Sequence, residues 1–265
     1  MSIKRQFKII YMLMKMKLSK NMAFRFSFFG AFFADSTLFL IQLFMFSAIY
    51  SQVGSIGTWN KSQMILFIGT FSIINALAMT FFLFGLITIP EKIKSGELDL
   101  YITKPIPSLL YLSFESIDLG SFPLVFASIA LIFYAVSGMT VSITFLSVVG
   151  YIFLVILMTV LWYDLMVIIR TIPFFLIQAS FIENLEGEVL TLCTKIPGTL
   201  FKGPFKILFL LLLPYGLMAT VPAQFFSGTL STFGFVYAVA LVAVFHCFTM
   251  FFWKFGLKHY KSASS

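Results

Sequence analysis

The stretch Thr88-Ile-Pro-Glu-Lys-Ile-Lys-Ser-Gly-Glu-Leu-Asp-Leu-Tyr-Ile-Thr-Lys-Pro-Ile-Pro107 is a dense polar run set between two apolar segments of membrane length. Apolar positions (Ile89, Ile93, Leu98, Leu100, Ile102) alternate with charged ones (Glu91, Lys92, Lys94, Glu97, Asp99, Lys104), Gly96 interrupts them, and Pro90, Pro105 and Pro107 punctuate the run. That order predicts a short surface helix followed by a fixed turn, a place where a soluble partner docks.

Outward from this loop the chain is greasy. Of 265 residues 60% are hydrophobic, 36 are Phe and only 11% are charged, more apolar surface than one soluble core can bury. The fold class is therefore an all-α polytopic membrane protein, read as a single transmembrane domain over 1–265. Candidate spans are Phe24 to Tyr50, Met64 to Ile87, Ile117 to Val136 with a possible start near Ser108, Val141 to Ile169, and Phe233 to Trp253. The basic start is too long and too amphipathic for a signal peptide, and no small-residue cleavage site follows it. Ile3, Phe7, Ile10, Tyr11, Met14 and Leu18 share a helical face opposite Lys4, Lys8 and Lys15, which predicts an interfacial helix over residues 1–22.

Lys and Arg near the span ends orient the chain. Basic residues cluster before the first span, in the 88–107 loop (Lys92, Lys94, Lys104) and in the tail (Lys254, Lys258, Lys261), so all three are expected on the cytoplasmic side of a plasma membrane, with both termini inside. The formal charge of +8 follows from this asymmetry and from anionic lipid at the inner leaflet, and does not point to nucleic acid. Lysine- and phenylalanine-rich usage suits an AT-rich bacterium.

Hydropathy gives no clean answer from Arg170 to Gly228. Either Arg170 to Lys206 is cytoplasmic and Ile207 to Phe226 crosses outward, or Thr171 to about Cys193 crosses and Lys195 to Gly228 dips back from outside as a re-entrant pair broken at Pro214 and Pro222. Charge alone favours the first.

No phosphate-cradling loop, H-E-x-x-H or C-x-x-C is present, and the two histidines, His246 and His259, gather no catalytic set, so an enzyme is not expected and this chain by itself is expected to bind neither metal nor cofactor. Cys193 and Cys247 read as packing residues. Charged groups inside spans cost about 2.5–3.5 kcal/mol on insertion scales and are functional candidates by default. Asp35 lies near the middle of the first span and Asp164 toward the inner end of the fourth; they belong either to a translocation path or subunit interface, or to helix packing. Glu115 and Asp118 are expected to share a helical face at the start of the third span.

The loop from Ile93 to Pro107, with Gly96-Glu97-Leu98-Asp99 followed by Lys104-Pro105, resembles the segment between the second and third spans of type 2 ABC exporter permeases. The run through Ile196-Pro197, Pro214-Tyr215 and Val221-Pro222-Ala223 to Gly228 resembles the proline-punctuated region before that family's last span. The resemblance implies six spans, a coupling helix within 88–107, a re-entrant region over 195–228, and no ATPase domain of its own. It implies a second permease, identical or related, and two cytoplasmic ATP-hydrolysing subunits that carry ATP and Mg. Glu91, Lys94, Gly96, Glu97, Asp99 and Tyr101 would then sit in or beside a groove of the ATPase. Two other readings of the residues are a gradient-driven transporter using Asp35 and Asp164, and a non-transporting immunity or scaffold protein. The sequence names no substrate.

Overall fold

The computed structural model describes residues 25–118, 120–141, 143–176 and 180–260, together with 11, 12 and 15. Most of the interfacial helix expected over 1–22 and the tail lysine Lys261 lie outside the described residues. Helix α1 (Arg25–Tyr50) leads to a hairpin, Ser55–Ile56 paired with Trp59–Asn60, which turns at Gly57 (φ +60°). Asn60 then caps α2 (Lys61–Ala78): its side chain accepts the Gln63 N–H, and Gln63 in turn accepts the Asn60 N–H. A π-helical turn (Met79–Leu83), α3 (Phe84–Ile87) and α4 (Ile89–Ser95) follow so directly that Lys61–Ser95 forms one helix of 35 residues.

Short helices α5 (Asp99–Ile102) and α6 (Ser108–Phe114) precede α7 (Pro123–Ser137) and α8 (Phe145–Thr171). A 3-10 turn, Ile172–Phe174, closes α8, and α9 (Ser180–Lys195) follows. Next comes α10 (Pro204–Ile207), which continues as a π-helical turn, Leu208–Leu212. The chain bends there and returns through the 3-10 turn Pro214–Leu217 and α11 (Thr220–Phe226). The last helix is α12 (Thr232–His259), whose N-terminus is capped by the Ser231 hydroxyl.

Among the described residues three helices are long and apolar enough to cross a membrane: Lys61–Ser95, Phe145–Phe174 and Thr232–His259. The pair Pro204–Leu212 and Pro214–Phe226, bent by 78°, makes a fourth if it is one span, and Leu40–Tyr50 and Pro123–Ser137 are shorter apolar stretches. Helix α2 is the hub, packed against α7 and α8, while α8 also packs along α12. Hydroxyl pairs cross these contacts: Ser128 to Ser72 at 2.9 Å, Thr70 with Tyr151 at 2.7 Å, Ser113 with Tyr163 at 3.0 Å. In a lipid environment such bonds and close apolar packing hold helices together, because lipid supplies no water-driven attraction between them.

The third span differs from its expectation. Residues 115–118 are not helical, and α7 starts only at Pro123. The π turn supplies the reason: it leaves the Thr80 carbonyl to accept the Asp118 N–H at 3.1 Å, while the Asp118 carboxylate accepts from the Gly120 N–H and the Ser121 hydroxyl. An Asp that bonds the backbone two residues on favours a turn over a helix. Glu115 and Asp118 therefore share no helical face; Glu115 turns to Lys92 instead.

Contacts fix the course of the segment that hydropathy left open. Trp59 Nε1 donates to Thr199 Oγ1 at 2.8 Å, and a Cβ on Gly57 would meet Leu200, so the chain after α9 stands at the hairpin end of the bundle. Phe226 meets Tyr151 edge-on at 5.0 Å near the start of α8, also at that end, since Ser62 donates to the Gly138 carbonyl. Between these points the chain descends until Leu212 and Leu213 lie with Leu165 and Ile169 of α8 and Phe248 of α12 around one cavity. This is a bent, re-entrant-like pair. Pro214 lacks the N–H that would reach the Leu210 carbonyl, and Tyr237 donates to that carbonyl at 2.7 Å. Pro222 breaks nothing: it lies in the first turn of α11, where a missing N–H leaves no helical bond unmade.

Candidate functional site

The charged loop builds a small two-sided platform. Pro90 occupies the first turn of α4, and the helix stops at Gly96, whose φ of +79° lies in the left-handed region that side chains with a Cβ avoid. The Leu98 N–H returns to the Lys92 carbonyl at 3.0 Å and folds α5 beneath α4. Ile89, Ile93 and Leu98 are buried on the inner side, and with them Lys92, only 8% exposed.

Lys92 is paired rather than stranded. Its ammonium meets the Glu115 carboxylate and lies 4.5 Å over the Tyr101 ring. Lys104 covers the same ring at 4.7 Å and Tyr111 at 3.8 Å, and the two tyrosines meet edge-on at 5.6 Å. Burial first, then the charges of Tyr111 and Glu97, raise the Tyr101 phenol above its ordinary value, so the ring stays neutral beside the two ammonium groups. This aromatic and cationic clamp joins α4, α5 and α6.

The other side faces outward. Glu91, Lys94 and Glu97 are exposed, and so are Leu100 (65%) and Ile102 (44%). This surface combines charges of both signs with two bare aliphatic side chains. Asp99 is half-buried and turned inward: burial, then the Asp99 charge, raises the Tyr260 phenol just past the end of α12. Tyr260 meets Phe174 edge-on at 5.8 Å, Phe174 meets Trp253 at 5.5 Å, and the Ile172–Phe174 turn packs against α4. The platform thus rests on the ends of α8 and α12.

Two polar clusters lie within the bundle. Asp164 is fully buried, with Oδ1 3.0 Å from Nδ1 of the half-exposed His246, and Thr249 bonds the Asp164 backbone carbonyl. Arg170 donates to Glu186 at 2.6 Å, and the Tyr215 hydroxyl donates to the other oxygen of the same carboxylate at 2.8 Å. That triad binds the C-terminal end of α8, the middle of α9 and the tip of the bent pair. Asp35 stands within α1, but its side chain lies outside what the structure describes. Among the described residues no group of His, Cys, Asp and Glu is arranged to hold a metal, and both cysteines are free.

Of the residues singled out in the loop, Glu91, Lys94, Gly96, Glu97, Asp99 and Tyr101 fall on one platform, whereas Asp164 stands apart from it. Sequence reasoning did not pair Lys92 with Glu115 or Lys104 with Tyr111, contacts set by how α4, α5 and α6 fold together, nor Arg170 and Tyr215 with Glu186. A signal was available in the acidic run Glu183, Glu186 and Glu188: a carboxylate buried in an apolar bundle needs a cationic or hydrogen-bonding partner.

A helical bundle with several helices of membrane length, one of them ending in a charged platform, defines a polytopic membrane protein. Residues 37–264 match the family model described as ABC-2 family transporter protein, and the chain belongs to that family of transporter membrane components. No curated protein and no solved structure matched the chain.

Proposed function

We propose that this chain is the permease subunit of an ATP-driven exporter, crossing the plasma membrane six times with both termini inside. It forms half of a translocation path with a second permease and receives its energy from cytoplasmic ATP-hydrolysing subunits docked on the 88–107 platform. The observation that carries this reading is the single helix Lys61–Ser95. At about 1.5 Å per residue its 35 residues span about 52 Å, well beyond a hydrocarbon core of about 30 Å. Its charged end must therefore stand in water while its middle packs at the centre of the bundle. A displacement at Glu91 or Lys94 reaches Ile74 through one continuous element.

Switching between inward- and outward-facing states requires a ligand that favours one of them, and ATP bound on a partner supplies that bias only through a rigid contact. The Lys92–Glu115 pair and the tyrosine clamp supply the rigidity. Asp164, apart from the platform, is buried with Oδ1 against the half-exposed His246 and Oδ2 without a partner among the described residues.

The test is a gentle-detergent purification through the tagged chain, with mass spectrometry and an ATPase assay on the eluate. An ATP-hydrolysing subunit is expected to co-purify from the native membrane. Glu91→Lys with Glu97→Lys should remove it while leaving membrane insertion intact, since both side chains are exposed; Asp99 faces Tyr260 and is less suitable. Retention of an active ATPase on the doubly reversed chain would take the platform out of the mechanism.

A further inference from the structure

Beside α9 lies a cleft of about 530 Å³ bounded by α1, α2, α7 and α9. Its depth follows from helix geometry. Asn75 stands fourteen residues along from Lys61, about 21 Å from the hairpin end, and Gln42 stands eight residues before Tyr50, about 12 Å from the end of α1. Gln42 Nε2 donates to the Thr194 carbonyl at 3.0 Å, which places the end of α9 at the same depth. Lys195 follows immediately and lines the cleft.

Lys195 is exposed at the end of α9 and lines a cleft that also has apolar wall, so its ammonium is available to an anionic head inside the cleft. The simplest structural role for Lys195 is to satisfy the carbonyl end of α9. Gln42 already occupies the Thr194 carbonyl, and no salt bridge of Lys195 is found among the described residues. The lining is mixed: Gln42, Asn75, Thr191 and Thr194 contribute polar groups besides Lys195, while Met45, Phe71, Leu124 and Leu190 form apolar wall.

We propose that this cleft binds an amphiphilic anion, its acidic head on Lys195 and the neighbouring amides and its apolar body against Phe71 and Leu190. The volume lies within the range of small-molecule sites, and apolar walls with a few convergent polar groups are their usual lining. The inference rests on the exporter reading for its meaning as a substrate site, but the binding itself does not require it.

The experiment uses the complex purified through the tagged chain in nanodiscs and measures radiolabelled dodecanoate bound above empty nanodiscs. Dodecanoate should bind saturably, and dodecyltrimethylammonium, of equal chain length and opposite charge, should not displace it. Lys195→Gln should weaken binding about tenfold or more, the value of a lost charge-assisted contact. Lys195→Arg and Lys202→Gln should not weaken it. Absence of saturable binding, equal displacement by the cation, or unchanged affinity in Lys195→Gln overturns the proposal. Co-purification of the ATPase is read on the same sample: binding lost with the ATPase present removes only the cleft, and binding retained without an ATPase removes only the exporter reading.

Discussion

Arg170 and Glu186 meet at 2.6 Å with less than a tenth of either side chain exposed, and Tyr215 completes the carboxylate's bonding. Removing one partner of such a pair strands a buried charge and costs about 3–5 kcal/mol, whereas replacing both by apolar groups of similar size is often close to neutral. Arg170→Met or Glu186→Leu alone should therefore destabilise the chain by about 3–5 kcal/mol, and the double variant by much less. Reversible unfolding in mixed micelles across the four chains measures the coupling. An additive result would mean that the triad is not a unit. The same comparison separates the triad from Asp164 and His246, where the histidine is half exposed and less is desolvated.

At the scale of elements, α3 and α6 touch at Gly85. A Cβ there would lie 2.2 Å from the Leu112 carbonyl oxygen and 2.7 Å from that of Ser113, both backbone atoms with nowhere to go. This close approach positions α6 so that Glu115 reaches Lys92 and Tyr111 reaches Lys104. Gly85→Ala should cost about 1–3 kcal/mol, as overpacking does, and should loosen the platform. Two readouts check it: unfolding in mixed micelles, and partner ATPase activity per co-purified subunit, which should fall even where the amount bound is unchanged. Wild-type values in both would mean that α3 and α6 separate without consequence.

Across the whole molecule, the six-span reading places the 88–107 platform and the 195–204 segment on opposite sides of the membrane. In a chain carrying Cys193→Ala and Cys247→Ser, a single Lys202→Cys should react with an impermeant maleimide added to intact cells. A single Glu97→Cys should react only after permeabilisation. Labelling of both from one side would remove the re-entrant arrangement and leave the bent pair as an ordinary crossing. Both positions are exposed in the structure, so failure to label reports the side of the membrane and not burial.

What the sequence by itself determined was local. Apolar runs of membrane length marked the three long helices Lys61–Ser95, Phe145–Phe174 and Thr232–His259, and Gly96 among alternating charges marked the end of the surface helix, because periodicity and positive φ act over a few neighbouring residues. The exposed residues of the platform were legible for the same reason. Only the tertiary structure decided the rest. That Lys92 would be buried against Glu115, that Asp118 would bond Thr80 and break the third span, and that Glu186 would gather Arg170 and Tyr215 depends on contacts between residues far apart in the chain. Charge counting alone did not trace the segment after α8, for a related reason. It weighs lysines one by one, while the course of α9 and the bent pair is set by the Arg170–Glu186–Tyr215 triad at one end and the Trp59–Thr199 contact at the other.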